Sequence, residues 1–82
     1  MTTVRVSVSA FYDGTSHEPG DDVPCDVEFA RRTVLLGHAQ LLDADGTPMA
    51  FEDACQALRI GEEEVAATAE KRETVLRELN GG

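Results

Sequence analysis

Apolar and polar residues alternate along residues 4–10, near the start of the chain. The apolar positions are Val4, Val6, Val8 and Ala10. Alternation with a period of two predicts a β-strand that buries one face and exposes the other. A second, short strand is predicted around Val23. Because Pro24 has no N–H to donate to a sheet, we expect that strand at a sheet edge.

Turn and cap residues separate the elements of the first half. Asp13-Gly14 and Pro19-Gly20-Asp21 are typical of turns. Asp26 stands where a helix N-cap is expected, and Gly37 stands where a left-handed residue ends a helix. A helix is therefore predicted over residues 27–36. Its predicted inward side chains are Val27, Ala30, Val34 and Leu35.

The second half has a helical pattern. A return strand over residues 39–42 and a turn over residues 43–46 precede it and complete the first half. Thr47 and Pro48 are favoured at the first positions of a helix, which should end near Ile60-Gly61. Its predicted apolar face consists of Phe51, Ala54, Cys55 and Leu58. Three glutamates at residues 62–64 then begin a last helix, where negative charge stabilises the helix dipole.

These elements predict an α+β fold: a small β-sheet with one packed helix, followed by a C-terminal helical hairpin. Residues 1–46 form the α+β unit, and residues 47–82 form the hairpin, which we interpret as an assembly arm. The chain has 82 residues, which is enough for one small hydrophobic core. We therefore expect a single compact domain.

The net charge of the protein limits the classes of molecule that we expect it to bind. Sixteen acidic and seven basic residues give a formal net charge of −9. Such a charge repels the phosphates of nucleic acids and anionic membrane surfaces, so neither is an expected partner. The sequence has no apolar run long enough to span a membrane and lacks the layout of a signal peptide. We expect a soluble protein made in the cytoplasm.

Two features resemble reactive or metal-binding sites without completing them. Asp43, Asp45, Gly46 and Glu52 have part of the spacing of a calcium loop, but Leu41 would occupy the first ligand position. A plain turn is the favoured interpretation. The histidines and cysteines lack paired metal-ligand spacing, and no catalytic triad is evident. We expect no enzymatic activity, cofactor or metal.

Two further motifs leave alternative functions open. Residues 54–65 resemble a helix-turn-helix, which would suit a cytosolic acidic interaction or regulatory module. Three glutamates at the start of its second helix make DNA reading unfavourable. Gly81-Gly82 resembles the tail of ubiquitin-like modifiers and sulfur carriers, but such a tail follows a strand, and the preceding residues here favour a helix.

The first half of the chain resembles small proteins encoded among the virion genes of tailed phages and prophages. These proteins are related to the N-terminal domain of Mu-like prophage proteins. The matching positions are Phe11, Asp13, Gly14, Pro19, Gly20, Asp21, Val23, Asp26, Ala30, Gly37 and Ala39. His17 replaces an aromatic residue that relatives often carry before the Pro-Gly turn. The resemblance implies a structural protein of the virion, either capsid-associated or part of the head–tail connector.

We predict that such a protein works by packing against other virion proteins in a symmetric assembly. The last helix is the predicted surface, because its apolar stripe is too interrupted to be explained by the protein's own core. The predicted partner-binding residues are Val65, Ala69, Arg72, Val75, Leu76 and Leu79.

Overall fold

The computed structural model describes residues 2–81 and has the predicted α+β fold. The strands are β1 (Thr2–Val6), β2 (Ala10–Tyr12), β3 (Thr15–His17), β4 (Asp22–Cys25) and β5 (Ala39–Leu41). The helices are α1 (Val27–Leu35), α2 (Phe51–Ala57) and α3 (Glu62–Gly81). Strands β4, β1 and β5 form an antiparallel sheet in that order, while β2 and β3 form a separate hairpin.

The first strand is shorter than its alternation predicts. β1 ends at Val6, and Val8 lies in a bend rather than in the same strand as Ala10. Val6 pairs with Ala39 of β5, and its carbonyl oxygen accepts a hydrogen bond from the N–H of Gly20. Beyond this point neither neighbouring strand continues alongside β1. The chain therefore turns and forms the β2–β3 hairpin, with Asp13-Gly14 as the predicted turn.

One face of the three-stranded sheet is buried. The side chains of this face are Val4, Val6, Val23, Cys25, Ala39 and Leu41. The opposite face is polar, and there Arg5 pairs with Asp22 at 2.7 Å. The hydrogen bond and charge of Arg5 lower the pKa of Asp22. β4 lies at the sheet edge, as Pro24 predicts.

Helix α1 has the predicted caps, and its predicted buried face is confirmed in part, since Ala30 and Val34 are buried. The carboxylate of Asp26 accepts a hydrogen bond from the N–H of Phe29 at 2.8 Å, and Gly37 has a φ of +78°. Val27 is 50% exposed, so its predicted burial is wrong. Thr33 is buried instead, because its hydroxyl donates to the carbonyl oxygen of Phe29 within the helix.

Helix α2 begins later than predicted. Ala50 is the N-cap, and Thr47 and Pro48 are extended. The N–H of Asp43 donates to the carbonyl oxygen of Thr47, and Pro48 forms a bridge with Leu42. After the turn at residues 43–46, the chain therefore runs back beside the end of β5 and pairs with it. The predicted apolar face of α2 is confirmed, since Ala54, Cys55 and Leu58 are buried.

The core includes residues from both halves of the chain. Ala54, Cys55, Leu58 and Ile60 belong to the same cluster as the buried face of the sheet. Tyr12 and Phe29 cover one side of this core with their rings 4.4 Å apart. Within residues 2–81, none of the helices combines the length and the apolar character that crossing a membrane requires.

Candidate interaction surface

Helix α3 differs from α1 and α2 because none of its described residues is fully buried. Twenty residues of α-helix are about 30 Å long, which matches the longest dimension of the protein, 30 Å. The helix therefore lies along the body of the protein. Its backbone approaches that of α1.

The N-terminus of α3 is capped by its own glutamate. The backbone N–H of Gly61 donates to the carboxylate of Glu64 at 3.3 Å, which is half of a capping box. The same carboxylate lies 3.5 Å from the guanidinium of Arg31 on α1. Both side chains of this ion pair are largely solvated, so the pair contributes little to holding the helix in place.

Arg72 provides the principal polar attachment of α3. Its Nη1 atom donates to the carbonyl oxygen of Leu35 at 3.0 Å and to the hydroxyl of Thr68 at 3.1 Å. The carbonyl of Leu35 belongs to the last turn of α1, where helix carbonyls lack partners within the helix and attract positive charge. Arg72 thus joins the middle of α3 to the end of α1.

The guanidinium of Arg72 also stacks on α2. Its central carbon lies 4.5 Å from the centre of the Phe51 ring, which is the geometry of a cation–π interaction. Gly37 lies against the stem of Arg72, and a Cβ atom built at Gly37 would be 3.1 Å from Cγ of Arg72. Glycine is therefore favoured at residue 37 by its positive φ, and a larger residue there would also crowd the side chain of Arg72. We call Arg72, Phe51, Leu35 and Gly37 the arginine clamp.

Two grooves lie along α3 and share Arg72 and Phe51. The edge groove, of about 450 Å³, lies between β5 and the C-terminal half of α3. Its lining includes Ala39, Met49, Phe51, Leu76, Leu79 and Asn80. The helix groove, of about 470 Å³, lies between α2 and the N-terminal half of α3. Its lining includes Phe51, Cys55, Ile60, Val65, Ala66 and Ala69.

The predicted partner-binding residues are divided between these surfaces. Leu76 and Leu79 line the edge groove and remain 44% and 46% exposed. Val65 and Ala69 are half-buried and line the helix groove. Val75 is half-buried. Arg72 faces the body of the protein and lies between the two grooves, where the sequence showed only an interruption of the apolar stripe.

Sequence reasoning missed the internal role of Arg72 and the part played by Phe51. The available signal was the position of Arg72, seven residues after Val65 and seven before Leu79, in the middle of the stripe. A charged residue at such a position needs a hydrogen-bonding partner. That partner, the carbonyl of Leu35, is 37 residues away in the sequence and is visible only in the folded protein.

Cys25 and Cys55 are free, buried cysteines whose thiol pKa values are raised. Burial raises the pKa of the Cys25 thiol, and the nearby carboxylate of Asp26 raises it further. Burial likewise raises the pKa of Cys55, which disfavours the thiolate form of both cysteines. No group of three or more His, Cys, Asp or Glu residues in the described part of the chain is arranged to hold a metal ion.

The turn at residues 43–46 accounts for the spacing that resembles a calcium loop. The carboxylate of Asp43 accepts hydrogen bonds from the N–H groups of Asp45 and Thr47, both at 2.9 Å. Gly46 has a φ of +80°, as a turn of this kind requires. The carboxylate of Asp43 therefore stabilises the turn that connects β5 to the extended residues before α2.

Gly81 is the last described residue and belongs to α3, and Gly82 lies outside the described residues. A search of protein-family models, curated proteins and solved structures finds no match to this chain.

Proposed function

We propose that this protein is a structural component of a tailed-virus virion, capsid-associated or part of the head–tail connector, that acts by packing against other virion proteins. The resemblance of the first half to virion-module proteins motivates the setting. The observation that carries the proposal is the exposure of Leu76 and Leu79 beside an open groove on a helix with no fully buried residue. Two large apolar side chains close together on one helix favour association with another protein.

A neighbouring subunit would complete the edge groove. The groove brings Met49, Leu76 and Leu79 together, and an apolar side chain from the neighbour would fill the space between them. Because α3 runs the length of the protein, one helix can contact neighbours on both sides of a ring or shell. The protein then resides in the virion after synthesis in the host cytoplasm, with other virion proteins as partners and without direct reading of nucleic acid.

The first test is the composition of purified virions. Peptides of this chain should occur in them at a stoichiometry set by the symmetry of the particle. Absence of the chain from virions would remove the proposal.

The second test changes the exposed leucines. Leu76→Asp with Leu79→Asp should prevent incorporation into particles while leaving the sheet and α1 folded, because both side chains are on the surface of the isolated protein. Ala67→Asp, on an exposed part of the same helix outside both grooves, is the matched control and should incorporate normally. Normal incorporation of the double variant would show that this surface is not the one used.

A further inference from the structure

The helix groove has features that the proposed packing of Leu76 and Leu79 does not use. Its floor is apolar and includes the buried side chains of Cys55 and Ile60 and the half-buried Val65. Its α3 wall is formed by Ala66 and Ala69, which lie three residues apart on one side of the helix. Because these wall residues are small, a large side chain of another molecule can reach the floor.

The rim of the helix groove is acidic on both sides. Glu52 lines it from α2, and Glu62 lines it from α3. The lining thus contains two carboxylates and one cation, Arg72. The guanidinium of Arg72 already donates to the carbonyl oxygens of Leu35 and Val65. The groove therefore presents an apolar floor with one carboxylate from each helix at its rim.

We propose that the helix groove binds a basic amphipathic helix of a partner protein. The apolar side chains of such a helix would occupy the floor above Cys55 and Ile60, and its lysines and arginines would face Glu52 and Glu62. Binding of an amphipathic helix in a groove between two helices is a recurring mode of recognition, and opposite charges at the rim set the choice of partner.

The charge of the protein argues against a second copy as the occupant. Each copy carries a net charge of −9, and the walls of the groove are among its acidic regions. Two such surfaces repel each other at moderate ionic strength, whereas a basic helix is attracted. The proposal concerns a different groove from the one that holds Leu76 and Leu79, so it stands or fails independently of the proposed virion role.

The test is selection from a displayed library of helical peptides about four turns long, with randomised charge and apolar positions, on the intact protein. Enriched peptides should combine a positive net charge with an apolar stripe. On binding, the backbone amide signals of α2 and of residues 62–69 should shift in NMR spectra. Binding should weaken as salt is raised, since charges at the rim are screened.

Two neighbouring alanines provide the matched variants. Ala66→Arg places a bulky positive side chain in the groove and should weaken peptide binding by about tenfold or more. Ala67→Arg makes the same change at an exposed position outside the groove and should leave binding within about twofold. Thermal unfolding of both variants checks that each remains folded.

Two charge-reversal double variants distinguish the effect of the rim carboxylates on peptide binding from the effect of the protein's net charge. Glu52→Lys with Glu62→Lys should abolish selection of basic peptides, while Glu18→Lys with Asp45→Lys alters net charge equally and should preserve it. The proposal is overturned if no peptide is enriched, if Ala66→Arg and Ala67→Arg bind alike, or if both charge-reversal pairs lose binding equally. Self-association that Ala66→Arg abolishes would assign the groove to a second copy and would also overturn it.

Discussion

The sheet with α1 and the long helix α3 are held in the fold in different ways. In the sheet and α1, valines, alanines and Leu41 are buried around a common core, and turns and caps end each element. In α3 no described residue is buried, and the principal polar attachment is one arginine that donates to a carbonyl of α1. Helix α3 is thus attached by the arginine clamp and by partial packing of Val65 against the core, while Leu76 and Leu79 remain exposed.

The largest effect is expected at Gly37, where the two regions meet. Gly37→Val should destabilise the protein by about 2 kcal/mol or more, because a β-branched residue resists positive φ and its Cβ would lie 3.1 Å from Cγ of Arg72. Urea denaturation measures the change. Gly46→Val is the matched control, since Gly46 has a similar φ of +80° and its Cβ would enter open space among the described residues.

The difference in unfolding free energy between these two glycine variants measures how closely Arg72 of α3 packs against Gly37. Gly46→Val should cost about 1 kcal/mol less than Gly37→Val. Equal losses would mean that Arg72 does not lie against Gly37 in solution.

Removing the arginine of the clamp should have the next largest effect. Arg72→Ala should lower the free energy of unfolding by about 1–2 kcal/mol through loss of charged hydrogen bonds and the stacking on Phe51. Arg72→Lys should recover little of this, because an ammonium group lacks the planar fork of donors. Arg77→Ala, at an exposed position on the same helix, is the control and should change stability by less than about 0.5 kcal/mol.

A variant at the N-cap of α1 tests how much local capping stabilises the sheet and α1. Asp26→Ala should destabilise the protein by about 1 kcal/mol, because the N–H of Phe29 loses its acceptor. Thermal unfolding is a sufficient measurement. Asp45→Ala removes an exposed carboxylate from a turn and serves as the control. A loss at Asp26 no greater than at Asp45 would contradict the capping interaction.

The smallest effect is expected at the exposed pair of Arg5 and Asp22. Because the pKa of Asp22 is lowered in the folded state, its carboxylate stabilises the fold at neutral pH. That contribution disappears as the pH falls through the folded-state pKa. Asp22→Asn should therefore slightly reduce the melting temperature at pH 7 and have no effect in acid, below that pKa. A reduction that persists in acid would show that the charge is not its cause.

The parts of the fold that depend on local chemistry could be predicted from the sequence. Asp26 caps its helix and Gly37 ends it, because each acts on backbone groups a few residues away. The end of β1 at Val6 could not be predicted, since it depends on where the antiparallel strands β4 and β5 begin. The prediction that Thr47 starts a helix was wrong. Its carbonyl oxygen instead accepts a hydrogen bond from the N–H of Asp43 on the other side of the turn, a pairing that helix-start preferences do not reveal.

The candidate surface was predicted in part. Leu76 and Leu79 were identified by helical spacing, and their exposure agrees with an apolar stripe that the core does not absorb. The helix groove depends on the placement of α2 beside α3, and the spacing of apolar residues in the sequence does not predict that placement. The role of Arg72 required knowledge of Leu35 and Phe51 as neighbours.

The central claim is that α3 is held by the arginine clamp and is free to pack against a partner beyond it. Amide hydrogen exchange of the isolated protein tests this claim most directly. We expect slow exchange in α3 up to Arg72 and faster exchange at residues 75–80. In Arg72→Ala, exchange should accelerate throughout α3 while the β1 amides remain protected. Uniform protection of α3 to its end, or unchanged exchange in Arg72→Ala, would contradict the account.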